Sequence, residues 1–253
     1  YKNKYGLYAF KDISFSVRSG EILGVAGVEG NGQSELANVL SGIEPIQEGD
    51  IQINGVSIKG MNVREIREQG VAVIHEDRMT YGASVTQSIA ENIISDRYYR
   101  DEYKKYGFLN WKYIVSKTKD LIKSFSIKAD RHDAEVRTLS GGNIQKVVAA
   151  REFSSAPKVL IACQPTRGID VGAAELIRKK MISLRDEENT AILLFSADLT
   201  ELLSLSDGVI VMYGGKITAY FPDVSKINEE ILGEYMLGLK IQSSEEIGGV
   251  VYG

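Results

Sequence analysis

The feature that most constrains the fold is a short apolar run that leads into three closely spaced glycines. The stretch "EILGVAGVEGNGQSELANVLSG" starts at residue 21 and joins a buried-strand pattern, a loop with Gly27, Gly30 and Gly32, and apolar residues at helical spacing. Gly42 is expected to end the helix. A glycine-rich turn from a strand into a helix points backbone N–H groups at phosphate oxygens. From this loop alone, a phosphate site and a merely tight turn are equal alternatives.

Composition narrows the class of protein and of partner. With 253 residues and 43% hydrophobic content, the chain can fill a sizeable core. The net charge is −4 and the basic residues are scattered, so nucleic acid is not expected to be a partner. The apolar runs fall far short of the ~20 residues that span a bilayer. Because the chain starts at Tyr1 without a methionine, we expect it to be a piece of a longer polypeptide.

Alternation of short β-branched runs with helical patterns predicts an α/β fold with a mostly parallel sheet. The runs "KVLIA", "AILLF" and "GVIVMY" are predicted strands, with the helix "AAELIRKKMISLRDE" between the first two. Polar and apolar residues alternate in "YAFKDISFSV" and "GDIQINGVSI", which predicts antiparallel strands. Asn54-Gly55 fits a tight turn between two such strands.

From about residue 85 to 155 the pattern changes to helical periodicity and predicts an inserted helical subdomain. Its clearest helix is "NWKYIVSKTKDLIKSF", where Trp111 is expected to lie in the core with Ile114 and Phe125. We expect one domain over residues 1–240, with residues 241–253 as a disordered, Gly- and Ser-rich tail.

Two further motifs follow the glycine loop in order. "LSGGN" at residues 139–143 precedes "QKVVAARE", and the strand "KVLIA" leads into "QPTRGID". Together the three motifs resemble the nucleotide-binding domain of ABC transporters, from about Lys11 to Tyr220. They look most like the second ATP-binding half of tandem proteins that energise bacterial sugar and nucleoside importers. The resemblance implies a RecA-like P-loop core with an antiparallel β subdomain and an inserted helical subdomain, and it implies ATP and Mg²⁺ as cofactors.

Carrying the resemblance over residue by residue exposes four departures. The phosphate-loop lysine falls at Gln33, and the family's Asp-Glu-Pro is here Cys163, Gln164 and Pro165. The histidine that senses the γ-phosphate falls at Ala197. Gln164 cannot accept a proton from attacking water, and a thiol at Cys163 is a poor ligand for magnesium. The expected result is a degenerate domain that binds ATP weakly and has no intact catalytic group.

The signature "LSGGN" is intact, although Ile144 stands where a glutamine is usual just after it. In the resembled family this loop faces a nucleotide held by the partner domain. The resemblance also implies that Tyr5 or Tyr8 stacks on adenine, a choice that stays open, and that Ser34 and Glu76 hold magnesium. The implied cofactor contacts are Tyr5, Tyr8, Gly27, Gly30, Asn31, Gly32, Gln33, Ser34, Glu35, Glu76, Ser140, Gly141, Gly142 and Asp170.

The function implied is a degenerate ATP-binding domain of an importer for a sugar or nucleoside, which donates its signature to the partner's catalytic site. The implied partners are a second nucleotide-binding domain on the same polypeptide and transmembrane permease subunits. The implied location is the cytoplasmic face of the inner membrane, where the domain is peripheral. "EDR" at residues 76–78 suits a coupling contact with a membrane partner. Two alternatives stay open, namely a competent ATPase that tolerates the substitutions and a regulatory module that transports nothing.

Overall fold

Runs of buried aliphatic residues form the central sheet of this computed structural model, which describes residues 1–248. In the strand that leads into the glycine loop, all five residues are buried. A strand buried on both faces reads as a continuous apolar run, as in parallel sheets covered by helices. Within the described residues the strands are β1 (Ile22–Ala26), β2 (Gln52–Ile53), β3 (Val56–Ser57), β4 (Val71–Ile74), β5 (Lys104–Lys105), β6 (Phe108–Leu109), β7 (Val159–Cys163), β8 (Ala191–Phe195), β9 (Gly208–Tyr213) and β10 (Lys216–Phe221).

The helices alternate with these strands along the chain. In the described part they are α1 (Gln33–Leu40), α2 (Val63–Glu68), α3 (Ile89–Ile94), α4 (Trp111–Ser124), α5 (Gly141–Phe153), α6 (Val171–Glu188), α7 (Leu199–Leu205), α8 (Glu229–Met236) and α9 (Ser244–Gly248). Helical turns that are not α-helical occur at Arg78–Gly82, Asp101–Tyr103, Val136–Thr138 and Val224–Lys226. The predicted α/β class is confirmed.

The chain divides into two compact units. Within the described residues, the first comprises residues 1–73, 158–164 and 182–248, and the second comprises Ile74–Pro157 and Pro165–Met181. The six-stranded sheet has the order β10-β9-β1-β8-β7-β4. β1 runs parallel to β8 and β9, and β7 runs parallel to β8, whereas β10 is antiparallel to β9. The carboxyl ends of β1, β7 and β8 therefore lie at one edge, where ligands bind in sheets of this kind.

Helix α1 packs on one face of this sheet and ends at the predicted glycine. Leu36 and Ala37 join the buried cluster formed by residues of β1, β7 and β8. At the end of α1, the Gly42 N–H donates to the Val39 carbonyl at 3.2 Å and the Ile43 N–H to the Asn38 carbonyl at 2.9 Å. Gly42 has a φ of 79°, so the helix closes in a Schellman motif. The predicted helix and its end are confirmed.

The second unit is mainly helical. Ser88 and Glu91 form a capping box at the start of α3, and Asn110 caps α4. Helix α5 is buried along almost its whole length, including Arg151 and Glu152, which pair with each other at 2.7 Å. Its burial fixes the position of the loop that immediately precedes it, at residues 139–140.

The predicted strand at "YAFKDISFSV" is wrong. The structure gives this segment no strand, and its outer part forms only an isolated bridge between Lys2 and Tyr8. The alternation is real, because Phe10, Ile13, Phe15 and Val17 are partly buried against the core cluster. Asp12 has a φ of 54°, which interrupts the extended backbone that a ladder needs. The antiparallel pairing predicted for "GDIQINGVSI" does form, as the short β2–β3 hairpin.

The predicted core position of Trp111 is also wrong. Trp111 is 46% exposed, whereas Ile114 and Phe125 are buried as expected. Trp111 is the first residue of α4 and follows the exposed β5–β6 hairpin, so it lies past the part of the helix that packs on α3 and α5. The other buried residue of α4 is Thr118, whose hydroxyl donates to the Ile114 carbonyl at 2.9 Å.

Residues 241–248 differ from the disordered tail that the sequence predicts. The Gln242 N–H donates to the Thr218 carbonyl at 2.9 Å, and the Gln242 side chain accepts from the Tyr220 N–H at 2.6 Å. These two bonds attach the segment to β10, and α9 follows. The rest of the predicted tail, residues 249–253, lies outside the described residues. Across the described range, no helix has the length and apolar content needed to cross a bilayer.

Candidate functional site

The glycine loop lies between β1 and α1 at the carboxyl edge of the sheet. Gly30 and Gly32 have φ values of 91° and 97°, in the left-handed region that glycine tolerates. A Cβ at Gly32 would come within 2.5 Å of the Ala9 carbonyl oxygen, whereas one at Gly30 would meet nothing within 4 Å. The inner side of the loop is therefore packed and its outer side is open. Its backbone N–H groups fit a phosphate there.

Neutral amides hold this loop together. The Gln33 Nε2 donates to the Val28 carbonyl at 3.3 Å, and the Asn31 Nδ2 donates to the same oxygen at 3.1 Å. The Asn31 Oδ1 accepts from the Gly214 N–H at 2.9 Å, which ties the loop to the turn after β9. A Cβ at Gly27 would lie 2.0 Å from Gln33 Nε2, so the glycine is what admits this amide. Gln33 is thus an uncharged group bonded within the loop.

Ser34 and Glu35 begin α1 beside the loop. Ser34 is exposed and Glu35 is half-buried. Glu35 also faces Tyr1: the Tyr1 hydroxyl donates to Glu44 at 2.7 Å, and the Glu44 and Glu35 carboxylates, with partial burial, raise the pKa of Tyr1 to about 12. Because Ser34 is exposed, its hydroxyl is accessible to a ligand on the loop.

The end of β7 carries two uncharged side chains, Cys163 and Gln164. Cys163 is 8% exposed, and Gln164 adopts a φ of 48°. The Gln164 N–H donates to the Phe195 carbonyl at 2.8 Å, and its side-chain Oε1 accepts from the Ala197 N–H at 3.1 Å. The Gln164 amide therefore joins the ends of β7 and β8. The side chain of Ala197 is a methyl group, which has no polar atom to offer a phosphate.

A triphosphate fits this part of the molecule better than a magnesium ion does. Hard divalent cations prefer oxygen ligands, and the predicted positions in the first unit offer the Ser34 hydroxyl and the Cys163 thiol. Among residues 1–248, no group of three or more His, Cys, Asp or Glu is placed to hold a metal ion. Ser34 belongs to the first unit and Glu76 to the second, so their predicted pairing on magnesium stays a prediction.

The two tyrosines proposed to stack on adenine are both exposed. Tyr5 is 76% exposed and Tyr8 is 55% exposed. The Tyr8 ring lies 4.7 Å from the Lys2 Nζ and 5.7 Å from the Lys11 Nζ, whereas Tyr5 has the Lys4 Nζ at 5.2 Å. Tyr8 directly precedes Ala9, whose carbonyl borders Gly32. Tyr8 is thus adjacent in sequence to a residue that borders the loop, whereas Tyr5 is four residues before Ala9.

The signature occupies the start of α5 in the second unit. Ser140 is the residue before the helix, and its hydroxyl is exposed and accepts from the Asn143 Nδ2 at 2.9 Å. The Asn143 Oδ1 in turn accepts from the Lys128 N–H at 2.8 Å. The helix has 13 residues, and the Ser140 side chain forms no cap hydrogen bond with its first N–H groups. This end of α5 is therefore suited to an anionic group.

Each glycine of the signature has a close neighbour within the second unit. A Cβ at Gly142 would come within 2.7 Å of the Asp170 Oδ2, and one at Gly141 within 3.1 Å of the Arg78 Nη2. The Asp170 Oδ1 accepts from the Ala173 N–H at 2.9 Å, at the start of α6. This bond, aided by Lys146 and Lys128, holds the pKa of Asp170 below its usual range. Asp170 is thus a charged carboxylate packed against the signature.

Glu76 meets a residue that the sequence analysis did not include in the site. Its carboxylate forms an ion pair with Arg167 of "PTRGID". Arg78 donates from Nη1 to the Arg167 carbonyl at 2.9 Å. Both arginines stand inside motifs quoted from the sequence, yet charge type alone does not reveal a pairing across 91 residues.

These loops follow the order and spacing of one known family. The family model described as "ABC transporter" matches residues 10–167. The chain belongs to the ABC transporter family. Two solved ABC cassettes share the fold at low identity. A cassette solved as a dimer with ADP and phosphate has a TM-score of 0.71 at 18% identity, covering 85% of this chain and 90% of that one. A nucleotide-free cassette has a TM-score of 0.69 at 21% identity, covering 97% and 93%.

Similarity to curated ABC proteins extends over nearly the whole chain. A guanosine import ATP-binding protein, NupO of Bacillus subtilis, is 38% identical over 97% of this chain and 47% of its own length. A nucleoside import ATP-binding protein, NupA of Lactococcus lactis, is 39% identical over 94% and 46%. A glucose import ATP-binding protein, TsgD13 of Haloferax volcanii, is 35% identical over 92% and 42%. This ABC domain thus spans about half the length of the curated relatives it matches.

Proposed function

We propose that this chain is the second ATP-binding half of a tandem subunit that energises import of a nucleoside or sugar. The relatives that support this are import ATP-binding proteins about twice as long as the matched region. The other half of the same polypeptide is then the partner domain, and permease subunits in the membrane carry the solute. The domain itself is peripheral, at the cytoplasmic face.

The observation that carries the proposal is the contrast between the glycine loop and the signature. Gln33, Cys163, Gln164 and Ala197 leave the first unit without a cation on the loop, a carboxylate for magnesium or a general base. Ser140 and the start of α5 keep an exposed hydroxyl and helix N–H groups. We infer that the signature, lent to the partner's nucleotide, is the working part of this domain.

At its own site the domain binds ATP weakly, and the bound nucleotide has a structural role. Backbone N–H groups of the glycine loop hold the phosphates, and Tyr8 is the preferred stacking residue for adenine. Without the lysine, the loop lacks a charged hydrogen bond worth roughly 1.5–3 kcal/mol, or about ten- to a hundredfold in affinity. Magnesium, when bound, neutralises charge on the phosphate oxygens, and Ser34 is the residue of this unit that would hold it.

The chain's own residues do not activate water at this site. A general base contributes a factor of roughly 10²–10⁴ in rate. The Gln164 side chain is an amide, which does not accept a proton as a carboxylate does. Its Oε1 is instead engaged by the Ala197 N–H. The site consequently holds nucleotide without turning it over, which separates this proposal from a competent ATPase.

The decisive experiment replaces the signature serine in the full-length transporter reconstituted with its permease. Ser140→Ala removes a hydroxyl directed at the partner's nucleotide, so ATP turnover and solute uptake are expected to fall about a hundredfold. Ser124→Ala is the matched control, because Ser124 is an exposed serine at the end of α4 in the same unit. Unchanged turnover in the Ser140 variant would refute the proposal.

A further inference from the structure

Three loops of the second unit meet at the signature, and one arginine touches all of them. Arg78 lies in the turn after β4, and its Nη1 donates to the Arg167 carbonyl at 2.9 Å. Its Nη2 lies 3.4 Å from the Gly168 carbonyl oxygen, which accepts a weaker bond. The same Nη2 is the nearest atom to the position of a Cβ at Gly141. The guanidinium therefore fills the space between the loop after β7 and the signature.

A second bond runs in the opposite direction between the same two segments. The Arg167 guanidinium donates to the Glu76 carboxylate. Residues 76–78 thus supply one acceptor and one donor, and residues 167–168 supply the complementary groups. The side chain of Arg167 is 61% exposed and that of Glu76 is 38% exposed. An ion pair this exposed contributes little to stability, so stability alone does not account for it.

The turn that carries Arg78 is itself fixed at both ends. The Asp77 Oδ1 accepts from the Met79 and Thr80 N–H groups, each at 3.0 Å. At the other end, the Gly82 carbonyl accepts from the Arg151 Nη2 at 2.7 Å, and Arg151 is a buried residue of α5. Arg78 therefore stands on a turn anchored to the helix that the signature begins.

The loop after β7 is braced against α5 on its other side. The Gln145 Nε2 donates to the Pro165 carbonyl at 2.9 Å, in a buried position. The Asp170 carboxylate packs against Gly142. The start of α5 thus contacts both Arg78 and residues of the 165–170 loop.

We propose that Arg78 and the Glu76–Arg167 ion pair form a clasp that positions the signature for the partner's nucleotide. This rests on the proposed function, since it assigns the clasp to the loop that is donated. The clasp joins residues 76–78, residues 167–168 and Gly141, so a displacement of one segment shifts the other two. Arg78 and Arg167 are positioning residues, because they act through Ser140 and the N–H groups of α5.

The test uses the full-length transporter reconstituted with its permease, with ATP turnover, its KM, solute uptake and melting temperature measured together. Arg78→Ala is expected to lower kcat about ten- to a hundredfold, because a misplaced signature no longer meets the transition state. Arg78→Lys restores part of the activity, since one ammonium replaces one of the two bonds. Arg131→Gln is the matched control, because Arg131 forms an exposed ion pair with Asp133 in the same unit.

A double-mutant cycle isolates the ion pair from the rest. Glu76→Ala and Arg167→Ala each lower kcat, and the double variant is expected to be no worse than the more damaged single variant. Additive losses would overturn the clasp. So would a fall in melting temperature that accounts for the lost activity.

The Ser140→Ala variant separates failure of the clasp from failure of the proposed function. If Ser140→Ala abolishes turnover while Arg78→Ala and Arg167→Ala leave it unchanged, the signature is donated and the clasp is wrong. If Ser140→Ala also leaves turnover unchanged, the proposed function fails and the clasp fails with it.

Discussion

The loops of the first unit and those of the second handle charge in opposite ways. Around the glycine loop, Gln33, Asn31 and Gln164 are neutral amides that bond to backbone groups nearby. Around the signature, Glu76, Arg78, Arg167 and Asp170 are charged and are held by one another or by backbone groups. A loop stabilised by its own amides keeps its shape without a ligand. A loop surrounded by fixed charges is set up for a ligand that arrives from outside.

The largest effect that would break this comparison comes from the second glycine of the signature. Gly142→Ala places a Cβ within 2.7 Å of the Asp170 Oδ2, so either the carboxylate or the start of α5 must shift. A shift of about 1 Å at a site of this kind costs about a hundredfold in rate. Phosphate release by the full-length transporter measures the loss.

Gly233→Ala is the control for that substitution. Gly233 lies inside α8, and a Cβ there would meet nothing within 4 Å. Alanine in a helix interior is expected to be neutral or slightly stabilising. Equal turnover in the two glycine variants would contradict the view that Asp170 and the signature are packed to a fixed geometry.

A smaller effect is expected from a substitution in the glycine loop of the first unit. Gln33→Lys returns a cation to the glycine loop and gives up one long bond to the Val28 carbonyl. ATP affinity is expected to rise about tenfold or more, since a charged hydrogen bond to phosphate contributes roughly 1.5–3 kcal/mol. Calorimetric titration of the purified chain with ATP measures the dissociation constant.

Gln52→Lys makes the same change of charge at an exposed position of β2. Affinity that rises equally in both variants would show that net charge, and not the position in the loop, controls binding. Turnover should stay absent in the Gln33 variant, because Gln164 still offers no base. Turnover that appears with the lysine alone would favour the competent ATPase.

The sequence predicts the framework of the fold better than it predicts the contacts of the site. Buried runs at β1, β7, β8 and β9 signal strands because both faces of the sheet are covered. Asn54 and Gly55 signal a turn because both tolerate positive φ, and their φ values are 50° and 78°. Such local signals depend only on neighbouring residues.

The rest depends on residues far apart in the chain. The clasp between residues 76–78 and 167–168 joins segments about 90 residues apart, and no local pattern records which charges will meet. The segment "YAFKDISFSV" has the alternation of a strand because its apolar side chains pack against the core, yet the structure assigns no strand to it. Gly142 belongs to the "LSGGN" motif, yet its close packing is visible only once Asp170 is in place.

The smallest expected effect concerns acid stability of the signature face. The Ala173 N–H, with Lys146 and Lys128, lowers the pKa of Asp170 below its ordinary value of 3.8. A carboxyl group with a lowered folded-state pKa contributes stability that is complete above the ordinary value and is lost as the pH falls through the folded-state pKa. Asp170→Asn removes that titration, so the melting temperature of the variant should fall less steeply than that of the parent below about pH 4.

Asp50→Asn is the control. Asp50 is a carboxyl of the first unit whose pKa is also lowered, by hydrogen bonds from Ser57 and Gln52. If Asp170→Asn removes the acid sensitivity of unfolding of the second unit and Asp50→Asn does not, the charge dependence lies beside the signature. If both variants show the same change, the charge dependence belongs to the chain as a whole.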